Sequence, residues 1–188
     1  TDCDSTISVT PYEGFRVTGE IKFDDTLIKT QKYTIEFNAD RFCKEIARAR
    51  TFGYVEQVEE LWANGLALGG TLENVIAIHW NRTSVLNEDG LRYQDEFIRH
   101  KVLDLVGDLT LLGCPMLGHV SSYKAGHTQH LGFMEAIADS PDCWELIELG
   151  KNGNHAVVEK VVATSQASDT LIMPFFRPRQ PEAFPATC

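Results

Sequence analysis

The chain has 188 residues, enough for one large domain or two small ones to bury a core without disulfide staples. Lys plus Arg number 17 against 27 Asp plus Glu, a formal charge of −10 that excludes a nucleic-acid backbone as a general partner and demands a local basic patch for any anionic substrate. Hydrophobic residues at 43% and charged residues at 23% are ordinary for a soluble globular protein, and no apolar run approaches the ~20 residues of a transmembrane segment.

The chain opens in β structure. Phe15, Val17, Ile21 and Phe23 alternate, a polar turn around Asp24-Asp25-Thr26 follows, and Tyr33, Ile35 and Phe37 alternate again, a hairpin with one buried face. Asn38 or Asp40 caps a short helix carrying Phe42, Ile46 and Ala47, and Phe52 to Tyr54 is extended. A second helix runs from Val55 to Asn64 and stops at Gly65, a good residue just past a helix end. Gly69-Gly70 makes a tight turn before a buried strand, Val75-Ile76-Ala77-Ile78, and Asn87-Glu88-Asp89-Gly90 is the turn before the main helix, Tyr93 to Leu112.

A strand covers Met116 to Tyr123, and a helix begins near Gly126 with Leu131, Phe133, Met134 and Ile137 inside. Strands separate helices without a regular βαβ repeat, which argues an α+β fold with helices on one face of a mainly antiparallel or mixed sheet. The domain ends near Gly150, and residues 151–188 read as a C-terminal extension. Ala156 to Ala163 is a strand or a short helix, and the proline-rich tail MPFFRPRQPEAFP is extended, either docked on the domain through Phe175, Phe176 and Phe184 or a flexible tail.

Cys3, Cys43, Cys114, Cys143 and Cys188 are scattered, odd in number and contain no C-x-x-C pair, so they read as reduced thiols in a cytoplasmic protein. The sequon Asn81-Arg82-Thr83 matters only in a secreted chain, and no signal peptide is visible. The chain begins at Thr1; a trimmed start is the commoner origin of such a residue, an exposed nucleophile the rarer one.

The chemistry lies on the main helix. His100, Asp104 and Asp108 are four residues apart on one stripe, with Glu96 one turn earlier, while Ile98, Val102, Leu105 and Leu109 recur on the opposite side. Like-charge pairs at this spacing cost only about 0.2–0.5 kcal/mol when exposed, so a solvated charged face competes with a functional one. Phe97 and Leu103 flank the stripe and favour a half-buried groove, where a His and an Asp at i, i+4 can grip one cation.

Three segments, ARTFGYVEQVEELWANGLALGG, VLNEDGLRYQDEFIRHKVLDLVGDL and SSYKAGH, make the region from Pro11 to about Leu149 resemble the C-terminal domain of the UDP-3-O-acyl-N-acetylglucosamine deacetylases. These are the zinc amidohydrolases that commit bacteria to lipid A synthesis. The resemblance implies a two-layer α/β sandwich with an inserted β-α-β unit that lines a hydrophobic passage for an acyl chain. It makes His100 and Asp104 zinc ligands, sets Lys101 at the mouth of the site, and turns Thr51 toward the metal and the developing oxyanion. His127 becomes the histidine that protonates the leaving amine or stabilises the tetrahedral intermediate, with Asp108 orienting it as a carboxylate–imidazole pair. Phe52 and Gly70 fall in the acyl passage, and Lys124 becomes a sugar or phosphate contact. Taken singly, Thr51 and Phe52 are plain strand residues, His127 a surface histidine and Lys124 a solvated lysine.

The family's active site lies between two domains, and the resemblance covers one. The other supplies a third zinc ligand, a His, and the Glu that serves as general base. An N-terminal deacetylase-type domain or chain is therefore the expected partner, and an acylated small molecule the expected substrate. His79, in a short insertion of IAIHWNRT, and Glu96 are the local candidates to replace the missing groups, although helix geometry points Glu96 along the same wall instead of across the metal. An exposed loop histidine is the simpler reading of the first. Two other functions stand beside the half-deacetylase: a domain recruited to hydrolytic or acid–base chemistry on an acyl or polyketide-like substrate, and a non-catalytic binding or scaffold domain with a degenerate site.

Overall fold

In the computed structural model, residues 4–24, 27–149, 155–158 and 175–178 are described. The chain divides into two compact units, one holding residues up to Thr18, Thr34–Phe37 and the chain from Asp104 onward, the other Gly19–Tyr33 and Asn38–Leu103. The fold is mixed α and β, with no closed barrel among the described residues.

Four strands form one sheet: β1 (Thr6–Thr10), β2 (Phe15–Lys22), β3 (Thr30–Glu36) and β6 (Gly118–Tyr123), in the order β1-β6-β2-β3. Strand β1, absent from the elements that alternation predicts, pairs antiparallel with β6 from Thr6 opposite Tyr123 to Thr10 opposite His119. Only Ile7 and Val9 of β1 are apolar, and both are buried. Val17 and Ile21 of β2 and Ile35 of β3 face inward as the alternation requires. Beyond Asp24 the expected polar turn falls partly on Asp25 and Thr26, outside the described residues.

Asn38 starts helix α1 (Ala39–Arg41), accepting a hydrogen bond from the Arg41 backbone N–H, and a π-turn at Phe42–Ile46 continues it. Ile46 is buried, whereas Ala47 is exposed. Next comes a β-α-β unit: β4 (Thr51–Tyr54), α2 (Val55–Ala63) and β5 (Val75–Ile78). The two strands pair in parallel, Thr51 opposite Val75 and Tyr54 opposite Ile78. Gly65, at φ +70°, ends α2 in the left-handed conformation that a residue without Cβ adopts at little cost.

Helix α3 spans Glu96–Leu109, three residues shorter at its start than its periodicity suggests, and a 3₁₀ turn at Thr110–Leu112 extends it. Its apolar stripe of Ile98, Val102, Leu105 and Leu109 is buried. Phe97 and Ile98 join Ile21, Ile28, Ile76 and Ile78 in one hydrophobic cluster. Full burial of such side chains is worth about 1.5–3 kcal/mol each. The approach of α3 to β2 depends on Gly19, where a Cβ would stand 2.8 Å from Val102 Cγ2 and 3.1 Å from Ile98 Cδ1.

Helix α4 (His127–Ala138) follows Gly126, whose backbone N–H donates to Gln129 Oε1. Phe133, Met134 and Ile137 are buried as expected, but Leu131 is half exposed, on the outer side of the helix from His130. Strand β7 (Trp144–Leu149) lies between β8 (His155–Val158) and β9 (Phe175–Pro178) in a three-stranded antiparallel sheet. Of the region expected to be strand or short helix, residues 155–158 are strand and the rest lies outside the described residues, as do Phe184 and the end of the proline-rich tail. Among the described residues Cys43 and Cys143 form no disulfide, and no helix is long and apolar enough to cross a membrane. Thr1, Cys3 and Cys188 lie outside the described residues.

Candidate active site

Helix α3 carries the acidic stripe, and its first member departs from expectation. Glu96 is fully buried rather than presented. Its Oε1 accepts from the Arg50 backbone N–H at 3.0 Å and from Arg50 Nε at 2.9 Å, and its Oε2 from Arg50 Nη2 at 3.0 Å and from the Arg92 N–H. Burial raises its pKa, but the Arg50 side chain and the two backbone donors outweigh that and hold the carboxyl below its ordinary value. Glu96 is therefore a structural anion and not a substitute for a missing base. Arg50, 46 residues away, is the partner that helical spacing could not reveal.

His100 and Asp104 are both half-buried on successive turns of α3. The His100 ring stands edge-on to Phe52, centroids 6.3 Å apart, and Phe52 in turn packs edge-on against Phe97 at 5.0 Å. An imidazole and a carboxylate at i, i+4 are a donor pair suited to zinc, two of the three protein ligands that catalytic zinc generally uses. Lys101 Nζ lies 5.7 Å from the Phe52 ring centroid, a cation–π distance.

The last acid of the stripe, Asp108, meets two histidines. Its Oδ2 receives the Nδ1 of His127 and the Nδ1 of His130, each at 2.6 Å. His127 begins α4 with its side chain 64% exposed, while His130, one turn later, is 1% exposed. Partial burial pushes the Asp108 carboxyl up, but the bonds from His130 and His127 prevail and keep it below the ordinary carboxylate value. Burial pushes the His130 imidazole down, and Asp108 recovers only part of that. The ligand atoms of Asp108, His127 and His130 lie within 4.8 Å of one another, close enough to hold a metal ion. Two short contacts on one carboxylate oxygen are equally the signature of a hydrogen-bonded triad, with an N–H on each ring turned to the acid. His130 was missed in sequence, although its i, i+3 spacing from His127 puts both rings on one side of a helix.

Thr51, Phe52 and Gly70 come together around a cavity of about 530 Å³ in the β-α-β unit, completed by Val58, Leu61 and Trp62 of α2 and by Leu72 and Val75. That volume falls in the range of small-molecule pockets. Helix α2 has no buried residue of its own, because its apolar side lines this cavity. Lys124 sits in the left-handed region at φ +51° in the turn before α4, and its Nζ pairs with Asp4 at 2.8 Å. His79 is tied into its own loop: its Nδ1 accepts from the Asn81 N–H at 3.1 Å and its ring meets Trp80 at 5.0 Å, which suits a loop histidine.

The family model of UDP-3-O-acyl N-acetylglycosamine deacetylase matches residues 1–139. The chain belongs to this family. It is 48% identical over 154 residues to the UDP-3-O-acyl-N-acetylglucosamine deacetylase of Syntrophotalea carbinolica, covering 82% of this chain and 49% of that protein. With the deacetylase of Acidithiobacillus ferrooxidans the identity is 47%, over 78% of this chain and 48% of the relative. With that of Ruthia magnifica it is 45%, over 80% and 50%. The chain thus spans about half the length of the curated deacetylases it matches.

Proposed function

We propose that this chain is the C-terminal half of a zinc-dependent deacetylase acting in the cytoplasm on UDP-3-O-acyl-N-acetylglucosamine, in the lipid A pathway. Its domain ends near residue 150, with residues 151–188 as an extension, and an N-terminal domain or chain supplies the third metal ligand and the general base. Family membership and the half-length match support the reading. The observation that carries it is the 2.6 Å contact between Asp108 and His127, which joins the C-terminal end of α3 to the exposed start of α4 as an acid–base pair requires.

In this reading His100 and Asp104 hold the metal. Zinc bound there supplies Lewis-acid polarisation of the amide carbonyl. The Thr51 hydroxyl donates to the carbonyl oxygen as negative charge develops on it, and Lys101, fixed over Phe52, adds positive charge at the mouth. Water, deprotonated by the partner's general base, adds to the carbonyl carbon; an amine anion is a poor leaving group, so the C–N bond of the adduct breaks as a proton reaches nitrogen. His127 delivers that proton from Nε2 while Asp108 holds Nδ1. The apolar cavity at Phe52 and Gly70 receives the acyl chain, and Lys124 exchanges Asp4 for a sugar or phosphate oxygen.

The test is complementation. Mixed with the N-terminal half of a family member, the chain should retain zinc and deacetylate the acylated sugar nucleotide, and His100→Ala or Asp104→Ala should lose both. Zinc retention unaffected by either variant would refute the ligand assignment. The cavity also favours a second reading, an acyl-binding domain without catalysis; saturable acyl-ligand binding without turnover in the complemented protein would select it.

A further inference from the structure

We propose that His130 is a positioning residue for the Asp108–His127 pair, acting from the buried side of α4 as the second donor to the same carboxylate oxygen. The proposal rests on the reading of His127 as the proton carrier. One oxygen, Asp108 Oδ2, takes both Nδ1 atoms at 2.6 Å. The two rings are 5.9 Å apart with their planes 79° to each other, so the donors reach that oxygen from different directions. A carboxylate held by one exposed ring can turn about its side-chain bonds. The second donor comes from a ring that is 1% exposed and cannot move without disturbing packing, so it fixes the carboxylate and, through it, the ring of His127.

The chemistry of the three groups assigns the protons. Asp108 is held ionised, so it only accepts. Burial favours the neutral form of His130, and a neutral imidazole that donates through Nδ1 must carry its single proton there. His130 therefore cannot itself shuttle protons through Nδ1 without breaking the bond that positions Asp108. His127 donates its own Nδ1–H and leaves Nε2 toward the open side, where its ring is 64% exposed. Asp104, one turn before Asp108, also acts electrostatically on His130 and is the other nearby acid on α3.

Imidazole nitrogen NMR of this chain tests the arrangement directly, with His130→Asn and His130→Leu as the informative pair. The Asn amide nitrogen replaces Nδ1 as a donor; Leu keeps bulk and removes the donor. His130 should appear as the Nδ1–H tautomer, His127 Nδ1–H should be hydrogen-bonded, and that signal should persist in the Asn variant but move in the Leu variant. In the complemented deacetylase the Leu variant should lower kcat about 10-fold at nearly constant KM, the lower end of what supporting partners of a site contribute, and the Asn variant should restore most of it. An unchanged His127 signal in the Leu variant overturns the proposal. So does an Asn variant as impaired as the Leu variant, since packing alone would then explain the effect. If the His127 signal responds but His127→Ala still deacetylates normally, the positioning stands and the assignment of His127 as proton carrier falls.

Discussion

Glu96 and Asp108 stand at opposite ends of one helix, belong to one acidic stripe, and do different work because their donors differ. Glu96 is met by a guanidinium and two backbone N–H groups, none of which titrates near neutral pH. Asp108 is met by two imidazoles, the one side chain whose ordinary pKa lies close to neutrality. The first acid is locked as an anion that ties the start of α3 to the segment before β4. In the proposed function the second is the hinge of a proton-handling group. A column of carboxylates in a sequence is thus sorted into structure and chemistry by what the rest of the chain brings to each.

The largest expected effect comes from the locked end. Glu96→Ala strands Arg50, itself 5% exposed, beside an empty pocket and should cost about 3–5 kcal/mol in urea unfolding; a near-unchanged midpoint would remove the contrast. Asp108→Ala should cost less stability, about 1–3 kcal/mol, mainly from the buried His130 Nδ1–H left unpaired. Its effect on turnover should be far larger than on folding, with kcat of the complemented enzyme falling ~10²-fold or more. Equal losses for Glu96→Ala and Asp108→Ala in both assays would show that the two acids play one role.

Acid titration of stability sharpens the same comparison. The folded-state pKa of His130 is depressed, so its contribution is complete above the ordinary value of 6.5 and is lost as pH falls through the folded value. Glu96 is also depressed, from 4.5, so its contribution is complete above that value and is lost lower still, as pH falls through its folded value. Two successive losses are expected on acidification, and His130→Asn should shrink the first alone, leaving the part contributed by His119, whose imidazole burial also holds below its ordinary value. The smallest effect belongs to the Lys124–Asp4 pair. With side chains 29% and 64% exposed, its removal by Lys124→Ala should cost no more than about 1 kcal/mol, and less at high salt.

Legibility followed the range of the interactions. Alternation exposed β2 and β3, and the apolar run at residues 75–78 marked β5, because side-chain period follows directly from local backbone geometry. The same logic marked the buried face of α3 and the stop of α2 at Gly65. It failed for β1, whose five residues contain only two apolar side chains and whose strand character comes from pairing with β6 more than a hundred residues away. It failed for Leu131 because a helix start fixes phase only to within a residue or so, enough to turn one side chain outward. The pairs His100/Asp104 and His127/His130 both lie within reach of helical spacing, the second only once the start of α4 at His127 is known.

By itself the sequence determined the family, the β-α-β unit, the phase of α3 and the candidate residues at its surface, since motifs and periodicities are local and survive without coordinates. Tertiary structure alone decided which acid is sealed and which is poised. Arg50 reaches Glu96 across 46 residues and His130 reaches Asp108 across 22, and whether a carboxylate is locked or usable depends on those partners and on exclusion from water. Hydrogen-bond donors and desolvation act through space, and no spacing along the chain encodes them.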